Sequence, residues 1–91
     1  MQLNRQQTDF FIAACFFKNE PTTGNESDML YWMFRTNIIT DTAYNAQMDL
    51  MDTWVTAYNN GELYGTDSTG SSYLITSADI TKIPQRPKRN G

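Results

Sequence analysis

Eight consecutive residues, Phe10–Phe17 (FFIAACFF), carry no polar side chain. In a chain of 91 residues that run constrains everything else. As a helix it is apolar on every side, and such a helix has to be covered all round. Phe10, Ala14 and Phe17 share one side of a helical wheel, while Phe11, Ile12, Cys15 and Phe16 cover much of the rest. A bilayer-spanning helix needs about 20 apolar residues, so the run is too short to cross a membrane. A secretory leader wants a basic start, a longer apolar stretch and small residues at its cleavage site. Here Asp9 borders the run, Arg5 is the one basic side chain ahead of it, and bulky Phe16 and Phe17 end it. Ile12–Cys15 has the outline of a lipobox, yet only Phe10, Phe11 and Ile12 form an apolar segment before the cysteine. That is too little for a lipoprotein signal. The run is read as a buried helix of a cytoplasmic protein with no membrane attachment. One small chain has difficulty covering it, so Phe11, Ile12 and Phe16 become candidates for an interface with a second copy or a partner.

The start of that helix is marked by Asn4 and, three residues on, Gln7, the spacing of a capping box. Residues 18–27 (KNEPTTGNES) break it with Pro21 and Gly24. The sequon Asn25–Ser27 is taken as chance in the absence of a secretion signal. Ser27 or Asp28 can cap a second helix over 29–34 (MLYWMF), although six apolar residues in a row suit a buried strand as well.

The clearest element follows a short connection. Thr40 is a good N-cap, Asp41 suits the positive end of the helix dipole, and Ile39 can staple onto Tyr44. Tyr44, Met48, Met51, Val55 and Tyr58 keep a 3/4 spacing, widened by Leu50 and Trp54, and Gly61 suits a left-handed cap. Residues 62–76 read as a β-hairpin, with strand-like Leu63–Tyr64 and Tyr73–Ile75 around the turn residues Asp67–Gly70. Ser77 can cap a last turn, from which Ile80 and Ile83 pack back. The expected fold is α+β: three helices and a C-terminal hairpin in one small domain over 1–83, followed by a basic tail over 84–91. Helix, helix, helix, hairpin is also the element order of a winged-helix domain, an order many small α+β domains share.

Composition removes several kinds of chemistry. Histidine is absent and Cys15 is the single cysteine. Intramolecular disulfides, Cys/His zinc sites and Ser–His–Asp or Cys–His catalysis are therefore excluded. Cys15 sits among phenylalanines and reads as an inert core residue. The mean hydropathy of -0.56 and the 13 % aromatic content fit a folded, soluble domain. The net charge of -3 conceals an asymmetry: residues 1–80 hold all 10 acidic side chains with Arg5, Lys18 and Arg35 as their only bases. Residues 81–91 carry Lys82, Arg86, Lys88 and Arg89 and no acid, which makes the tail basic.

The third helix carries Asp41, Asp49 and Asp52 and no base, and the hairpin tip adds Asp67. Duplex DNA is held largely by neutralising its phosphates, so this helix is a poor reader of it. Nucleic acid stays possible as a partner but is not favoured. Asp49 and Asp52 could pair as acid and base or hold a cation, but no converging ligands are evident, and a solvated helix face is the simpler reading. The same carboxylates could imitate phosphates and occupy a basic groove on another protein. Tyr31, Trp32, Phe34, Tyr44, Trp54 and Tyr58 are mostly core, with Trp32 or Tyr31 the one expected to reach outward, and both are candidates for interface anchors. Pro84–Arg89 (PQRPKR) fits an extended proline ligand or a phosphate contact, and equally a solvated end. No cofactor is expected. The reading the residues favour is a non-catalytic, acidic, homodimeric protein-binding adaptor. A winged-helix transcriptional regulator and a DNA-mimic inhibitor are the alternatives, and small size with acidity suits a phage or mobile-element protein.

Overall fold

Asn4 opens the first helix, α1 (Arg5–Lys18), by the reciprocal bonding its spacing predicts. The Gln7 N–H donates to Asn4 Oδ1 at 2.8 Å and the Asn4 N–H to Gln7 Oε1 at 2.9 Å. The computed structural model describes residues 1–18, 29–37 and 39–81. Within them α1 packs against the long helix α2 (Asp41–Asn59), the strand β1 (Tyr64–Thr66) and a 3₁₀ turn (Asp79–Thr81). The apolar run is thereby covered inside one chain. Phe10, Phe11 and Ala13 are 0 % exposed and Ile12 is buried, while Cys15 and Phe16 stay half-buried.

Aromatic edges make the α1–α2 contact. The Phe10 ring meets Tyr44 at 5.5 Å and Trp54 at 6.2 Å, and Phe11 meets Trp54 at 6.5 Å and Tyr58 at 5.7 Å. The first three pairs are edge-on and the Phe11–Tyr58 pair is tilted, and aromatic pairs add about 0.5–1.5 kcal/mol beyond the area they bury. They also set the rotation of α2. Its buried residues are Gln47, Trp54 and Ala57, not the 48/55 line that the spacing of apolar residues suggests. Met48, Leu50 and Val55 are exposed. The indole of Trp54 offers more apolar area than Met48 or Val55, so it takes the centre and turns them outward.

That rotation buries Gln47, whose Oε1 has no hydrogen-bond partner among the described residues. A buried acceptor without a donor costs about 1–3 kcal/mol. Gln47→Met, which keeps length and removes the orphan oxygen, is expected to raise the unfolding free energy by about 1 kcal/mol in urea titrations. A drop would show that the amide contributes an interaction of its own.

The α2 ends are those the sequence spells. Thr40 Oγ1 accepts from the Ala43 N–H at 3.1 Å. At the far end Gly61 has φ +71°, its N–H donates to Tyr58 O, and the Glu62 N–H donates to Ala57 O. This pair of bonds is a Schellman motif, and it needs the left-handed residue that glycine supplies without strain.

Residues 29–31 are helical and run into a π-helix, Trp32–Thr36, closed by the Asn37 N–H on Trp32 O at 2.8 Å. The segment is helix rather than strand. Of the two aromatics expected to reach out, Trp32 is buried and Tyr31 is the exposed one, with the Arg35 guanidinium 6.0 Å from its ring. Buried Asn37 ties the segment to α1, its Nδ2 donating to Gln6 O and its own carbonyl accepting from Gln6 Nε2.

In the hairpin, β1 pairs antiparallel with β2 (Ser72–Leu74), Tyr64 opposite Leu74 and Thr66 opposite Ser72. The sequence gives no warning of a further partner, the chain's own first residues. The Leu3 N–H donates to Tyr64 O, the Tyr64 N–H to Met1 O, and Gln2 bridges Tyr64 in parallel. Gln2 Nε2 adds bonds to Gly65 O and Thr66 Oγ1, and Ser72 Oγ donates to Gln2 Oε1. Asp9 departs from expectation too. It is buried and paired with Arg5 one turn earlier at 3.3 Å, and Arg5 Nη1 also reaches Thr66 O. The last turn is organised by Thr76 rather than Ser77: its N–H and hydroxyl both donate to Asp79 Oδ2. The break at 19–28 with its sequon and caps, the domain limit at 83 and the tail bases Lys82, Arg86, Lys88 and Arg89 lie outside the described residues.

Candidate functional site

The outward turn of Met48 and Val55 leaves a groove between α1 and α2, with a volume of about 740 Å³. Phe11, Ala14 and Cys15 form its α1 wall, and Met48, Met51 and Val55 its α2 wall. Tyr44, Tyr58, Met29 and Ile80 complete the apolar lining, while Asp52 and Asn59 supply polar groups. Three thioethers in one wall system give an adaptable surface, because Met has three rotatable bonds and a polarisable sulfur. The described lining contains no Lys or Arg, and the chain has no His. It suits binding of apolar groups better than proton transfer.

The acidic candidates divide into two settings. Asp41, Asp49 and Asp52 are exposed on α2, with Asp52 on the groove wall itself. Asp41 and Asp52 are eleven residues apart, which at 100° per residue leaves them about 20° out of line on the same helix flank. Asn45 and Asn59 fall on that flank as well. Asp49 points further from the groove. Asp67, in contrast, is occupied within its own turn. Its Oδ1 accepts from the Thr69 N–H at 2.9 Å, the Thr69 hydroxyl at 2.6 Å and the Ser71 N–H at 2.9 Å. Gly70, at φ +87°, completes that loop. Asp67 therefore acts as a turn organiser rather than a free member of an acidic face.

The bonds from Thr69 and Ser71 favour the ionised carboxyl and hold Asp67 below its ordinary value of 3.8. A depressed folded-state value means the carboxylate's contribution is complete above about pH 4 and is lost as pH falls through the lower folded-state value. Amide shifts of Thr69 and Ser71 should titrate together with a midpoint under 3.8. Asp67→Asn should abolish that titration. A midpoint at or above 3.8 would contradict the hydrogen-bonded geometry.

Of the interface candidates, Phe11, Ile12 and Trp32 are buried within the chain, Phe16 is half-buried against Phe17, and Tyr31 is exposed. Phe11 still reaches the groove floor. The 3/4 spacing placed Met48 and Val55 on the apolar stripe of α2, and Cys15 was expected to be inert in the core. Their polar neighbours on α2, Asn45, Asp49, Asp52 and Asn59, were the available sign that this flank meets solvent. Among the described residues no cluster of three or more His, Cys, Asp or Glu is placed to hold a metal ion, and no helix is long and apolar enough to cross a membrane. No family model matches the chain, and no curated protein or solved structure is significantly similar to it.

Proposed function

We propose that this chain is a non-catalytic protein-binding module, acting in the cytoplasm, that takes an apolar segment of a partner into the groove between α1 and α2. The observation that carries the reading is the open groove itself, about 740 Å³ with Met48 and Val55 exposed at its edge. A helix laid into a groove through apolar anchors at 3/4 spacing is a common mode of peptide recognition, and methionine-rich walls favour it. Reading of duplex DNA through α2 draws no support, since a helix with three Asp and no base repels phosphates.

The test uses a labelled amphipathic peptide with leucine anchors and a neutral polar face, titrated with the full chain and followed by fluorescence anisotropy. Saturable binding is expected. Val55→Glu, at a position 37 % exposed in the free protein, should weaken it tenfold or more without changing the melting temperature. Binding that is indifferent to Val55→Glu and Met48→Glu would remove the groove from consideration.

A further inference from the structure

Resting on that reading, we infer that the partner segment is a basic amphipathic helix, its apolar anchors flanked by Lys or Arg side chains about 16 Å apart along the axis. The spacing comes from α2. Asp41 and Asp52 stand eleven residues apart on the flank that borders the groove, which at 1.5 Å per residue is about 16 Å. Met48 and Val55 lie beside that line, so apolar and anionic contacts alternate along one strip of the helix. No base on α2 competes for the carboxylates. Asp41, Asp49 and Asp52 are all exposed, and their side chains are available to a cation.

Charge decides among possible occupants. A second copy of this face would set the three Asp of one α2 against those of the other, and like charges brought together at an interface cost affinity. A neutral apolar segment would fill the groove but leave the flank uncompensated. A helix with a cation at each end of its apolar stripe satisfies both features. Its two basic residues are then about eleven positions apart, three turns, with anchors at 3/4 spacing between them. Exposed charge pairs are screened by salt, so the charged part of the recognition acts on selectivity and association rate more than on total affinity.

The experiment compares three versions of one leucine-anchored peptide against the full chain: two Arg eleven positions apart, two Glu at those positions, and two Gln. The Arg version should bind about tenfold tighter than the Gln version near 50 mM salt, with the margin shrinking toward 500 mM as added salt shortens the reach of the charge attraction. The double variant Asp41→Asn/Asp52→Asn should erase that margin, so that the Arg and Gln peptides bind it with equal affinity. Equal affinity for the Arg and Glu versions overturns the basic partner while the groove reading stands. Arg-peptide binding that ignores Val55→Glu but vanishes with the Asn variants also overturns it, because the contact is then surface charge attraction outside the groove. Failure of all three peptides to bind takes down the module reading and this inference together.

Discussion

Phe10→Ala is expected to lower the unfolding free energy by about 3–5 kcal/mol, the range for deleting a fully buried aromatic ring. Domains are typically stable by about 5–15 kcal/mol, so the variant loses a large share of its stability. The reason is positional. Phe10 has no exposed surface and its ring meets both Tyr44 and Trp54 of α2 edge-on. Removing it opens a cavity between α1 and α2 that neither helix can close alone. Its neighbours are pinned, α1 by the Asn4–Gln7 box and the Gln6–Asn37 bonds, α2 by the Thr40 cap. Phe16, half-buried at the other end of the same run, is the internal control, and Phe16→Ala should cost about 1 kcal/mol. Urea titrations of the two variants measure the difference directly. If they lose equal stability, the centre of the core does not lie at the α1–α2 contact.

Gly65→Ala is expected to cost about 2–3 kcal/mol, although the residue lies in a strand of only three residues. A Cβ at position 65 would stand 2.7 Å from Thr8 Cγ2 and 3.0 Å from Thr8 Oγ1. Thr8 cannot swing aside. Its hydroxyl donates to Asn4 O at 2.7 Å and accepts from the Thr66 N–H at 2.9 Å. A β-branched side chain in a helix also has little rotameric freedom. The Ile75 Cδ1, 3.1 Å away, is the end of a flexible chain and gives more easily. Thr8→Ser removes the methyl and keeps the hydroxyl, so Thr8→Ser/Gly65→Ala should recover about half of the loss, a coupling that a double-mutant cycle isolates. Purely additive losses would mean that the strain arises in the strand backbone and not at Thr8.

The features that could be read from the sequence are those settled within a few residues. Asn4 with Gln7, Thr40 with Ala43, and Gly61 after Asn60 each complete a hydrogen-bonding pattern whose partners are neighbours in the chain. The same holds for Asp67 with Thr69 and Ser71. The order of three helices and a hairpin followed from these signals. In the candidate site, the acidic character of α2 and the apolar character of Phe11 and Met51 were equally visible. Which of them faced a groove was not.

Periodicity fixes which residues of a helix share a face, but the direction that face turns depends on the neighbour with most area to bury. Trp54 against Phe10 and Phe11 set the rotation of α2, exposing Met48 and Val55 and burying Gln47. The close approach of β1 to α1 at Thr8 and Gly65 joins positions 57 residues apart, and Met1–Leu3 pairs with a strand some sixty residues on. Asp9 could be taken for the polar border of an apolar run, yet it is buried and paired with Arg5, whose guanidinium also reaches Thr66 O of β1. By itself the sequence determined the order of the main elements, the caps at Asn4, Thr40 and Gly61, the acidic character of α2 and the absence of histidine and of a second cysteine, because these depend on composition and on neighbours. Only the tertiary structure decided which side of α2 is core and which side is groove, because that choice compares burial energies between segments distant in the chain.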